Sequence, residues 1–219
     1  MKITYNLKNI LKAIDKKAAI LSVCCGLVFA AACSFSGFGS ECEAISRSVL
    51  RMHIIANSDS SRDQELKLYV RDRLLQVSPE VFKGCGTESE AEAAARKNIE
   101  LLQSTAEVAI SEYGAEYPVS VTVGDAWFNN REYDGFTLPA GTYNAVRVVI
   151  GSGEGHNWWC VMFPAVCLPA AVDGDHDISS VLDDTQTEIV KNSNKYVAGF
   201  KVVEIYEELK NRISGWFGK

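Results

Sequence analysis

Three groups of residues in this chain have types and spacings that could do chemistry. The first is Cys160 with three histidines, His53, His156 and His176, any of which could act as the base for a thiol nucleophile. Cys160 sits inside Trp158-Trp-Cys-Val-Met-Phe163, an apolar β-type run, so a buried or disulfide-bonded cysteine is the favoured reading. The second is Gly151-Ser-Gly-Glu-Gly155, which has the glycine spacing of a phosphate loop. Phosphate binding needs a strand, then the glycines, then a helix N-terminus aimed at the anion. A second β-rich run follows here instead, so the glycines read as a hairpin loop. The third is the charged stretch Asp59, Arg62, Asp63, Lys67, Arg71 and Asp72. A solvated helix face with i,i+4 pairs such as Asp63 with Lys67 accounts for it. Trp158 and Trp159 are neighbours on a strand and must point to opposite faces. One can fill the core, and an exposed one would be a good anchor for a partner.

Cysteine usage excludes more than it assigns. Of seven cysteines, Cys24, Cys25 and Cys33 fall in an apolar N-terminal run, leaving Cys42, Cys85, Cys160 and Cys167 for the body. Beyond the apolar run there is no C-x-x-C pair and no histidine at ligand spacing from a cysteine pair, so no metal is expected. No cofactor is expected either. Cys160 and Cys167 are the first pair to test for a disulfide, although sequence does not fix connectivity.

These residues need elements to position them. Residues 49–57 alternate in part and read as a strand, with Leu50, Met52 and Ile54 on one face and Arg51 and His53 on the other. Asn57-Ser-Asp-Ser-Ser61 breaks it. Ser61 and Gln64 form a capping box opening a helix whose stripe is Leu66, Val70, Leu74 and Val77; Pro79 ends or restarts it. Thr87 and Glu90 form a second box, opening one long helix that runs to Gly114. The period then changes to two, with strands expected at 117–123, 143–150 and 157–163, and Leu138-Pro-Ala-Gly141 reads as a turn. From about Asn194 a last helix carries the stripe Val203, Tyr206, Leu209 and Ile213. Clustered strands after clustered helices predict an α+β fold: an antiparallel sheet packed against two or three helices, preceded by an N-terminal signal or anchor helix.

Charge and hydropathy place the chain. Five lysines and one aspartate make residues 1–17 +4; the whole chain is −6, so residues 18–219 carry −10. An acidic body with no Lys/Arg cluster argues against nucleic acid as partner. Residues 18–33 form a 16-residue apolar run behind the basic stretch. That is short for a membrane span and suits a signal-peptide core, with Ala30, Ala31 and Ala32 as small residues for cleavage. An uncleaved anchor, or lipidation at Cys33, are the alternatives. Residues 1–40 are therefore expected to be a signal peptide or membrane anchor, and residues 45–219 an extracytoplasmic α+β domain.

The residues alone stop at an exported domain without a convincing active site. A resemblance carries further. Leu50-Arg-Met-His-Ile-Ile-Ala-Asn-Ser-Asp-Ser-Ser-Arg-Asp-Gln-Glu-Leu-Lys-Leu-Tyr-Val-Arg-Asp72, Phe136-Thr-Leu-Pro-Ala-Gly-Thr-Tyr143, the run from Val146 to Gly155, and Asn157-Trp-Trp-Cys-Val-Met-Phe-Pro164 resemble, in order, the signature of the stage II sporulation protein R family. What the resemblance implies is a secreted signal of endospore formation, not an enzyme. Such a protein crosses the forespore membrane into the intermembrane space, or stays on its outer face. There it activates a membrane-embedded aspartic protease that removes the pro-sequence of sigma-E. The residues expected to meet that receptor are Arg51, His53, Asn57, Asp59, Asp63, Lys67, Arg71, Trp158 and Trp159. The competing reading is an extracytoplasmic Cys-dependent hydrolase centred on Cys160.

Overall fold

A computed structural model describes residues 16–166 and 177–217. The chain divides into two compact units, residues 1–40 and 41–219. The first unit contains most of helix α1 (Lys16–Ser46). From Ala18 to Ser46 this helix is apolar and long enough to cross a membrane, as signal sequences also are. Ile20, Leu21, Val23, Leu27, Val28 and Phe29 are each more than 60% exposed, so this surface is apolar without being part of a protein core.

The second unit is α+β. After β1 (Leu50–Ile55) come helices α2 (Ser61–Val81), α3 (Glu88–Lys97) and α4 (Ile99–Glu112). Strands β2 (Val119–Phe128), β3 (Arg131–Tyr133), β4 (Phe136–Leu138), β5 (Gly141–Ile150) and β6 (Asn157–Phe163) follow, then α5 (Asp184–Lys191) and α6 (Val197–Phe217). The main sheet has the order β2-β5-β1-β6, and β3 and β4 form a separate hairpin.

The sheet is mixed. β2–β5 and β1–β6 are antiparallel, while the central β1–β5 pair is parallel. The cause is chain order. β1 is laid down before three helices, and β5 and β6 later take up its two sides. The glycine loop expected to close a hairpin therefore does not: β5 and β6 are not neighbours, and residues 151–156 cross the end of β1 to reach its far side.

Two rows of side chains follow from the register. Val121, Val148, Ile54 and Trp158 align across the sheet, as do Val123, Val146, Met52 and Cys160. This face packs on Leu66, Val70 and Leu74 of α2, Ala91 and Ala95 of α3, and Leu102 and Ala106 of α4. Each fully buried Leu here contributes about 1.5–3 kcal/mol.

The helices differ from the sequence reading at their ends. The cap of α2 is Ser60, one residue earlier than expected, and its hydroxyl accepts from the Asp63 amide at 3.2 Å. That places Asp63 in the first turn and frees Gln64 to donate to the Ser58 carbonyl at 2.9 Å. Pro79 does not stop α2, which continues to Val81. The Thr87–Glu90 capping box is present. The long helix expected from it is broken at Asn98, whose side-chain amide donates to the Ala94 carbonyl at 2.9 Å and competes with the ladder.

The opposite face of the sheet is covered only in part. Tyr143, Phe128 and Leu138 are buried there, as are Cys42, Ile45, Ile178, Ile189, Val190, Phe200 and Val203. α5 packs on β4, and α6 touches β5. Near the start of α6 Phe200 and Val203 are buried, but further along Tyr206 is 62%, Leu209 54% and Ile213 55% exposed. The expected four-residue stripe is thus mostly uncovered.

Candidate functional site

Two places gather the residues singled out by sequence. The first is the corner where β1 ends. Asn57 donates to the Asp63 carboxylate at 2.8 Å, and the Ser58 hydroxyl donates to the same oxygen at 2.5 Å. These bonds, Ser58 first, hold the Asp63 carboxyl below its ordinary range. Lys67 donates to Gln64 Oε1 at 2.6 Å and to the His156 carbonyl at 2.9 Å. Burial pushes its ammonium pKa down. Asp63 is 4% and Lys67 5% exposed, so neither belongs to the solvated face expected of them; they lock the corner from inside.

The glycine loop is the other half of that lock. The amide of Gly151 donates to Pro118 O, that of Gly153 to Ile150 O, that of Glu154 to Asn57 O and that of Gly155 to Ala56 O. The Ser152 amide donates to Asn57 Oδ1 at 3.0 Å, and the His156 amide to Asp59 Oδ1 at 2.6 Å. Every backbone donor from 151 to 156 is engaged within the protein, which leaves none to cradle a phosphate. The glycines serve close approach. A Cβ on Gly155 would stand 2.4 Å from the Ser58 carbonyl oxygen, and one on Gly151 (φ +60°) would stand 2.1 Å from Asn57 Oδ1. Of the residues expected to meet a receptor, this corner leaves Asp59 exposed and Asn57, Arg71 and Trp158 half-exposed, with the Arg71 guanidinium 5.1 Å over the Trp158 ring.

The second place is the far face of the sheet. Thr122, Arg147, His53 and Trp159 form one row across all four strands. His53 stacks on Trp159 with ring centroids 3.8 Å apart, and Phe128 packs edge-on to Trp159 at 4.8 Å. Arg131 lies over Trp159 at 5.2 Å. Behind the row Arg51 is completely buried. Its guanidinium stands 3.8 Å from the Phe128 ring and 4.7 Å from Tyr143, and it donates to the Tyr133 hydroxyl at 2.6 Å. Its Nε and Nη1 have no hydrogen-bond partner, nor does Nε2 of His53.

Burial holds the His53 imidazole down at about 4; a hydrogen bond to Asn157 opposes this, and Arg147, Arg51 and Arg131 add to it. His53 is 8% exposed and Arg51 not at all, so the expectation that both lie on an exposed receptor surface is corrected: both sit beneath it. Trp159 is the half-exposed member. The two tryptophans do face opposite ways, Trp158 toward the helices and Trp159 toward this row.

Sequence reasoning missed Arg131 and Arg147. Arg147 could have been found as the one charged residue breaking an apolar run, Val146-Arg-Val-Val-Ile150. Arg131 could have been found beside Asp134-Gly135, the tight turn of the β3–β4 hairpin.

Cys160 offers no thiolate. It is fully buried and disulfide-bonded. Its expected partner, Cys167, lies outside the described residues, as does His176. Among the described histidines, His53 is neutral in the core and His156 is exposed against Asp59 at 2.5 Å. The Cys-dependent hydrolase reading therefore loses its nucleophile. Among the described residues no group of three or more His, Cys, Asp and Glu side chains is placed to hold a metal ion.

The family model of stage II sporulation protein R matches residues 46–173, from the end of α1 through both places just described. The chain belongs to this family. The stage II sporulation protein R of Bacillus subtilis (strain 168) is 34% identical to it over 119 residues, which cover 54% of this chain and 53% of that one. The match thus spans about half the length of that relative. No solved structure matches the chain. Membership of the stage II sporulation protein R family makes this a sporulation protein, and the matched residues hold the entire main sheet and the helices α2–α4.

Proposed function

We propose that this chain is a secreted intercellular signal of endospore formation that activates a membrane-embedded aspartic protease to process pro-sigma-E. The observation that carries the reading is the family match over residues 46–173. Two features support it. An apolar, unburied helix at the N-terminus suits export across, or retention at, the forespore membrane. The one sequence candidate for a nucleophile is tied up in a disulfide, which suits an oxidising, extracytoplasmic setting. Activation requires the domain to bind the active arrangement of the receptor more tightly than the inactive one. A tenfold shift needs about 1.4 kcal/mol of differential affinity.

The test is reconstitution in non-sporulating cells. The cognate protease and tagged pro-sigma-E are co-expressed with and without this chain, and the sigma band is followed on a gel. Shortening only with the full chain, and not with a chain lacking residues 1–33, is the expected result. An unchanged band with all three proteins made and exported overturns the reading.

A further inference from the structure

We infer that the open half of the far sheet face, built on Arg147, His53 and Trp159 with Arg131 above, is a docking surface for a carboxylate-bearing segment of a protein partner. The inference rests on the proposed activator role for the identity of that partner, but its chemistry stands on the face itself. Residues 18–219 carry −10, yet three arginines converge here: Arg131 and Arg147 at the exposed surface and Arg51 buried beneath. Arg147 stands beside His53 in the sheet register, Arg131 lies over the Trp159 ring on which His53 stacks, and Arg51 and His53 both pack against Phe128. Among the described residues none of the three forms an ion pair, although eleven pairs form elsewhere. A buried guanidinium with two unsatisfied nitrogens beside a buried imidazole with one costs free energy in the isolated domain, a cost that nearby negative charge would offset.

The missing complement is negative charge. Guanidinium groups suit planar carboxylates through paired N–H donors. A half-exposed Trp flanked by arginines has the composition of an interface anchor. The rest of the face supports a flat contact: Ser120 and Thr122 are exposed and Val149 half-exposed, while α5 packs on β4 and Tyr143 and Leu138 are buried. An anionic membrane fits less well, since a body of −10 is repelled from it at range and only a local partner can use so small a patch.

Two measurements test this on the full chain. In the co-expression assay, the double variant R131E/R147E is expected to lower processing at least tenfold while remaining exported and as resistant to trypsin as wild type. The reversal R96E, at an exposed arginine on α3 paired with Glu92, is the control and should leave processing unchanged. Full processing by R131E/R147E overturns the inference while leaving the activator reading intact. If wild type itself is inactive there, the activator reading fails and a binding measurement decides the surface alone. For this the chain, in a non-ionic detergent, is titrated with an octaglutamate peptide and, separately, with an uncharged peptide of equal length. The Trp159 indole and His53 ring resonances should shift saturably with octaglutamate only, and R131E/R147E should abolish the shift. No shift at millimolar octaglutamate overturns the inference, as would an equal response to the uncharged peptide. A response to phosphatidylglycerol vesicles but not to octaglutamate would replace the protein partner with a lipid surface.

Discussion

The His53 imidazole should make the stability of the domain fall as pH falls from neutrality, by an amount set by its burial. In the unfolded chain it titrates near 6.5; in the folded chain it is held at about 4. Between those values the unfolded state binds a proton that the native state refuses, so stability rises with pH across the window. The contribution is complete above pH 6.5, declines below it, and is fully lost below pH 4. At about 1.4 kcal/mol per unit the whole window amounts to roughly 3 kcal/mol, and about 2 kcal/mol of it is gone by pH 5. Asp63, whose carboxyl is also held low, loses stability in the same direction at lower pH, so the His53 term must be isolated. His53→Phe keeps a ring stacked on Trp159 and removes the titration. The assay is urea unfolding followed by tryptophan fluorescence, in detergent, for both proteins between about pH 7.5 and pH 5. The difference between the two profiles should change by about 2 kcal/mol in favour of the variant as pH drops. Parallel profiles would refute the reasoning and show the ring free to protonate in the folded state.

Two further outcomes follow from the corner and one from the cap of α3. Gly155→Ala should cost about 1–3 kcal/mol in the urea midpoint, because the new methyl meets the Ser58 carbonyl, a backbone group that cannot swing away; an unchanged midpoint would show that the loop can move off β1. Asp63→Ala removes the acceptor for both Ser58 and Asn57 and should cost about 2–4 kcal/mol, with Asp63→Asn milder because it keeps one carbonyl oxygen; equal losses for the two variants would mean that charge and not the bonds matters. Thr87→Ala deletes half of the capping box of α3 and should lower stability by about 1 kcal/mol, read from thermal unfolding by circular dichroism.

Much of this architecture was legible in local pattern, because local pattern is what the chain carries by itself. The alternation in β1 put Met52 and Ile54 on one face and Arg51 and His53 on the other. The Thr87–Glu90 box marked the start of α3, and Gly114 its partner helix's end. The opposed tryptophans followed from the two-residue period of a strand. Ordered matches from Leu50 to Pro164 marked the family. Asn57 and Gly155 are both in those segments, and both form the same corner.

What the sequence could not decide is which strand lies beside which. Periodicity reports a face, not a neighbour, so a β-rich run on each side of a glycine loop reads as a hairpin. Only the fold inserts β1 between them and makes the pair β1–β5 parallel. Burial of charge was hidden for the same reason. Arg51, Asp63 and Lys67 are charged in any sequence window, and only packing from β3, β5 and the 151–156 loop takes them out of water. The convergence of Arg131, Arg147 and Trp159 joins residues from β3, β5 and β6, and no spacing along the chain could have brought them together.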